Sequence, residues 1–247
     1  MSCRVLLAMA LLGGLTSTIS TAAPITGTFD IAGTITVTQT ATQQLISWAL
    51  ASPPLTPNKA NLATGTGSFA GLGGTNVSIQ TLNGLTAPVD GAGFPQLAFI
   101  SFDSAPAFPT LNINFIFQGI YSNAACGAAP AVGQQCTVNP PLSPFNFVNN
   151  PPGPPLGPQA TATFVFSGVT SDGLENWQGN FTSQFTVPYQ TVLQQLATTG
   201  SVTNTFSATF TLQPAAVVPE TSSLSLLGLG LGLIALSTKL RKRVSSR

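Results

Sequence analysis

The sequence predicts an all-β fold, a single antiparallel β-sandwich or jelly roll carrying one short helix, with a transmembrane helix near the C-terminus. Three observations predict it. Apolar side chains alternate with Thr, Ser, Asn and Gln along much of residues 23–217, the pattern of strands that bury one face. Clusters of Gly, Pro, Asn and Ser interrupt those runs at short intervals, as connections between antiparallel strands do. Near the end, Ser222 to Thr238 is uncharged and Leu-rich and runs directly into a basic cluster.

Taken in order, Phe29, Ile31, Gly33, Ile35 and Val37 fall on one face of a strand over 29–38, with Asp30, Ala32, Thr34, Thr36 and Thr38 opposite. Shorter candidates follow at Leu45–Leu50, Val77–Thr81 and Leu97–Phe102. Leu111, Ile113, Phe115, Phe117, Gly119 and Tyr121 repeat the alternation, as do Phe164 with Phe166 and Phe181 with Phe185 and Val187. Val202, Asn204, Phe206, Ala208, Phe210 and Leu212 form the last inward series. About eight strands broken this way predict the sandwich or jelly roll. Between Pro188 and Gly200 the period changes. Tyr189, Val192, Leu193 and Leu196 recur at three and four, which predicts a short amphipathic helix across one end of the sandwich. Asn139 to Pro158 holds eight prolines and no charge, and reads as an extended, polyproline-like loop inserted in a single domain.

Charge is scarce. Charged residues make up 5% of the 247, and there is no histidine, whereas soluble domains carry about 25% charged residues. In residues 24–217 the single cation Lys59 stands against Asp30, Asp90, Asp103, Asp172 and Glu175, a formal charge of −4. Such a body cannot neutralise a run of phosphates, which excludes nucleic acid as a partner. The absence of His removes the commonest general base and every histidine-dependent triad. Lys59 sits in the turn-rich stretch Pro53–Lys59, which predicts an exposed loop position. Gly65-Thr66-Gly67 and Gly71 to Gly74 lack the Gly-Lys-Ser/Thr of a phosphate loop and read as a flexible loop. Asp90, Asp103 and Asp172 lie outside any dense Asp/Asn/Gly loop of the kind calcium takes. No enzyme activity, cofactor or metal is expected.

Cys3 precedes the first apolar run, so only Cys126 and Cys136 belong to the body. They flank a short Gly- and Ala-rich loop. In an oxidising compartment a pair so placed most simply forms a disulfide, whereas a cytosolic location would require two reduced thiols. Two cysteines without His fall short of the four ligands zinc takes.

Both ends read as targeting segments. Arg4, the apolar run Val5 to Leu15 and the small polar stretch Thr16 to Ala23 have the layout of a secretory signal peptide, residues 1–22, with cleavage after Ala22. At 1.5 Å per residue the span 222–238 reaches roughly 25 Å, enough for the hydrocarbon core with flanking snorkelling. Lys239, Arg241, Lys242, Arg243 and Arg247 would stay on the cytoplasmic side, with the body outside. Immediately before the span stands Val218-Pro219-Glu220-Thr221. This stretch, the span and the basic end together resemble the PEP-CTERM sorting signal of exported bacterial proteins. Pro219 and Glu220 match the first two positions of that family's Pro-Glu-Pro, and Thr221 stands at the third. The resemblance covers residues 218–247. It implies membrane anchoring of a precursor, processing by a membrane-embedded cysteine protease, an exosortase, and arrival at the cell surface or extracellular matrix.

For the body, residues 23–217, two readings stand. One is a structural, non-catalytic surface or matrix protein, whose Thr-, Ser-, Asn- and Gln-rich exterior hydrates without strong salt dependence. The alternative is a carbohydrate-binding module for extracellular polysaccharide, in which Trp48, Trp177, Tyr121 or Tyr189 stacks on a sugar beside Asn and Gln donors. Its best platform is Trp177, expected to be partly exposed beside Asp172 and Glu175. Ser171 to Trp177 also reads, more simply, as a polar turn between the strands Thr163–Val169 and Phe181–Val187. Trp48, inside an apolar strand, is expected in the core.

Overall fold

The structure, a computed structural model, describes residues 23–41, 44–51, 55–84, 87–139, 143–151 and 159–215. The signal peptide expected at 1–22, the sorting residues Val218, Pro219 and Glu220, the span 222–238 and the basic tail lie outside the described residues. So do 140–142 and 152–158 of the proline-rich segment.

The body is all-β with one helix, and every pairing between its strands is antiparallel. In chain order the elements are β1 (Gly27–Gln39), β2 (Gln44–Ala49), β3 (Lys59–Gly65), β4 (Thr75–Ile79), β5 (Leu82–Asn83), β6 (Gly93–Phe102), β7 (Leu111–Ile116), β8 (Gln135–Cys136), β9 (Asn146–Asn149), β10 (Ala160–Thr170), β11 (Glu175–Phe185), α1 (Tyr189–Thr199) and β12 (Ser201–Pro214). Pairing runs β11-β12-β1-β3-β4-β6-β7-β10, and β10 pairs again with β11. Eight strands therefore close a ring around one core, facing one another across it as in a sandwich while sharing one continuous sheet. Closure leaves this ring without a free edge.

Two long strands divide the ring into unlike poles. Along one edge β1 pairs β12 from Gly27 to Thr38; along the other it pairs β3 at Phe29–Ala32 and then β2 at Thr34–Gln39. β10 does the same, pairing β11 throughout, β7 at Phe166–Thr170 and β9 at Ala160–Thr163. At the pole of Phe29 and Thr170 the ring is complete. At the other it splays into two flaps, β2 with β5 and β9 with β8.

Alternation fills the ring with aromatic rings. Phe29 stacks on Phe210 with centroids 4.8 Å apart, and Phe164 stacks on Phe181 at 4.8 Å. Small residues opposite large ones make this packing fit. Gly179 is the direct partner of Phe210, whose ring would lie 2.6 Å from a Cβ at 179. Gly168 faces Trp177, and a Cβ there would collide with the Asn112 carbonyl. The outer face is bound by hydroxyls. Thr28 meets Thr66 and Thr36 meets Thr203, both at 2.8 Å, and Asp30 accepts from Thr64 and Thr209. A lipid-facing barrel would carry an apolar band there instead.

The helix lies at Tyr189–Thr199 as its periodicity predicts, and most strands fall where alternation places them. Four expectations are corrected. The strand expected to continue to Tyr121 ends at Ile116. Register slips between Ser167 and Gly168 on β10, so Ile116 turns inward while Phe115 and Phe117 meet edge-on at 4.8 Å; a bulge reverses phase in this way. Lys59 opens β3 and is half-buried, rather than sitting in an exposed loop. The glycine-rich stretch carries a 3-10 turn, Gly67–Phe69, whose Phe69 plugs the closed pole against Phe29 and Phe102. Within the proline-rich segment, Asn146–Asn149 forms β9.

Candidate functional site

Trp177 is not a surface platform. It is the third residue of β11, 2% exposed, stacked on Phe99 at 6.0 Å, with its indole N–H donating to the Asn112 carbonyl at 3.0 Å. The turn is shorter than the sequence implies, because β11 begins at Glu175. Asp172 is in that turn, exposed, and accepts the Leu174 N–H at 3.1 Å. Glu175 is 1% exposed. One carboxylate oxygen accepts from the Ile25 N–H at 2.6 Å, the other from the Thr170 hydroxyl at 2.7 Å. The three residues thus divide between core, turn and a buried clamp. Trp48 is in the core as expected, its indole N–H on the Gln80 carbonyl at 3.1 Å.

Cys126 and Cys136 are joined in a disulfide, their Cα atoms 5.2 Å apart. The bridge belongs to a second, smaller core with Phe147, Ala160, Ala162 and Tyr189. Tyr189 ties the loop to α1, since its hydroxyl donates to the Ala125 carbonyl at 3.0 Å. Pro188 offers no side-chain cap to α1, and Asn149 of β9 supplies one instead. Its Oδ1 accepts the Tyr189 N–H at 3.0 Å, while its Nδ2 donates to Gln190 at 2.9 Å. Burial pushes the Tyr189 phenol above its usual range.

At the splayed pole lies a cavity of about 260 Å³. Val37 and Ile46 line it from the β1–β2 pair, Phe145 and Phe147 from β9 and the residues before it, and Leu193 and Leu196 from α1. None of its lining residues among those described is charged. The cavity draws on segments far apart in sequence, so no local motif announces it. Two signals were nonetheless present: a helix whose apolar stripe must cover one end of the body, and Asn204 standing in an otherwise apolar inward series.

The described cation is committed elsewhere. Lys59 Nζ donates to Asp103 and Ser78 at 2.6 and 2.7 Å, and the Ser78 hydroxyl donates on to Asp103 at 2.8 Å. This triad straps β3 to β4 and to the turn after β6. Among the described residues no cluster of three or more metal-ligating side chains occurs, and no helix is long and apolar enough to cross a membrane. No family model matches the chain, and neither a curated protein nor a solved structure matches it.

Proposed function

We propose that this chain is an exported, non-catalytic surface or matrix protein, held in the membrane as a precursor by residues 222–238 and released by cleavage near Glu220. The observation that best supports the reading is where the two ends of the body meet. Ile25 donates its N–H to Glu175, and Ala215 donates its N–H to the neighbouring Leu174 carbonyl at 2.8 Å. Both ends therefore leave from one hairpin turn at the closed pole. A tether attached there constrains neither the ring nor the cavity pole.

The non-catalytic reading rests on how the body's acids are used. Asp30 and Asp103 hold cross-strand hydroxyls, Asp90 and Asp172 accept N–H groups two residues on, and Glu175 binds Ile25 and Thr170. Each has a structural partner, and this use of every acid in the described body is what supports the non-catalytic reading. The carbohydrate-binding alternative loses its best platform with the burial of Trp177.

Tags placed on both sides of Pro219 test the route. In the envelope the C-terminal tag is expected to separate from the body, and changing Pro219 and Glu220 to Ala is expected to keep them joined. A wild-type chain that matures with both tags attached makes residues 222–238 a plain anchor and overturns the sorting proposal.

A further inference from the structure

We infer that the cavity at the splayed pole is a binding site for an uncharged, largely aliphatic alcohol of roughly ten carbons. Size sets the first bound. A cavity of 150 Å³ lined by aliphatic and aromatic groups holds benzene, and this one measures about 260 Å³, which scales to about ten carbon atoms. The wall chemistry sets the second. Val37, Ile46, Phe145, Phe147, Leu193 and Leu196 offer dispersion and no hydrogen bonds, so the bulk of the occupant is hydrocarbon.

Besides Asn204 the polar lining includes Gln39, Gln44, Asn139 and Ser143, all neutral, and Asn204 is the amide among them held by side-chain hydrogen bonds between described residues. Asn204 lines the cavity, and its amide nitrogen is fully engaged. Nδ2 donates to the Ser183 hydroxyl at 3.0 Å and to the Gln184 carbonyl at 2.7 Å. The Ser183 hydroxyl is fixed in turn by donating to the Thr205 carbonyl at 2.8 Å. That arrangement sets the orientation of the amide, because reversing it would aim a carbonyl oxygen at the Gln184 carbonyl. No hydrogen bond to Oδ1 is made among the described residues. The atom Asn204 has left to offer is therefore an acceptor that is not sealed from solvent, and the ligand group that replaces water there is a donor, such as a hydroxyl.

A carboxylate would fit the same volume but not the same chemistry. It has no proton to give Oδ1 when ionised, and the described lining holds no cation to replace its lost hydration. Lys59, the body's lone cation, is engaged with Asp103 and is not among the lining residues. The site thus separates an alcohol from the fatty acid of equal length.

The test uses the full chain in phosphatidylcholine nanodiscs, photolabelled with a decanol bearing a diazirine at its far end and mapped by mass spectrometry of chymotryptic peptides. Label is expected on peptides containing Phe145–Phe147 or Val192–Leu196. Unlabelled 1-decanol is expected to displace it at a free aqueous concentration at least tenfold below that of decanoate at pH 8. Leu196→Trp, which fills the cavity from the half-exposed helix, is expected to cut labelling at least tenfold. Should that variant fail to keep the wild-type circular dichroism spectrum, Ala162→Leu fills the cavity from β10 and is read in its place. Label spread evenly over the body, decanoate competing as well as decanol, or undiminished labelling in a folded, filled variant would each overturn the assignment.

Discussion

Single residues in this body act mainly by closing polar contacts that a nearly uncharged chain cannot leave open. Glu175 is the clearest example. It occupies an inward position of β11, where its carboxylate is kept by two short hydrogen bonds that also fasten Ile25 to the closed pole. Removing such a group leaves the part-buried Ile25 N–H without its partner and the buried Thr170 hydroxyl with only a long contact, 3.4 Å, to the backbone carbonyl of residue 175, and an unsatisfied donor costs more than its bond contributes. Tyr189 poses the same problem at the other pole, with a measurable consequence. Its phenol is buried and donates to the Ala125 carbonyl, so ionisation would place a charge in a desolvated site. The folded-state pKa is raised above the ordinary value of about 10. For an acid shifted upward, the unfolded chain loses its proton first. The stability Tyr189 contributes is therefore complete below about pH 10 and falls as pH rises beyond it. Urea midpoints measured from pH 8 to 11 should drop above pH 10 in wild type, and the drop should be shallower in Tyr189→Phe. An identical slope in the two proteins would show that the phenol does not titrate on unfolding.

At the scale of elements, the β8–β9 flap and α1 form a unit secured by the disulfide and by the amide of Asn149. The bridge closes a loop of sequence separation 10, for which chain entropy gives about 2–3 kcal/mol. Changing both Cys126 and Cys136 to Ser should lower urea stability by about that amount. The effect should centre on the flap, with hydrogen exchange faster at Phe147 and Tyr189 than at Phe29 or Phe210. Uniform acceleration throughout the ring would mean that flap and ring open together. These elements also show what was legible in the sequence. α1 and the strands of strict alternation could be read directly, because burial and period coincide there. β11 was obscured at its start, since Glu175 and Gly179 occupy inward positions and look like turn residues. Its true phase makes Trp177 a core residue. β3 was hidden because Lys59, Asn61 and Thr64 mask the buried Ala60 and Leu62. The bulge inside β7, between Ile113 and Phe115, is set by its pairing with β10, and such a partner-imposed change of phase leaves no trace in the strand's own residues.

For the whole molecule, the closed ring gives the body a direction. β1 and β12 run antiparallel side by side, so the chain enters and leaves at the pole of Glu175, while the cavity lies at the pole of Asn204. At about 3.3 Å per residue, β12 from Asn204 to Pro214 spans roughly 33 Å. If residues 222–238 hold the precursor in a membrane, the short connection after Ala215 keeps the closed pole near the lipid and directs the cavity away from it. A ligand would then arrive from the aqueous side on which the body stands rather than from the bilayer. Both native cysteines of the body are paired, so with Cys3 changed to Ser a single added thiol can report position. Asp172→Cys marks the turn at the closed pole, and Gln195→Cys marks the exposed face of α1. With the uncleaved chain in vesicles containing a head-group nitroxide lipid, a bimane at 172 should be quenched strongly and one at 195 little. Nitroxide quenching falls steeply over distances shorter than the length of β12, which makes the two sites distinguishable. Equal quenching would mean that the body lies on its side, and the reverse order would place the cavity against the membrane.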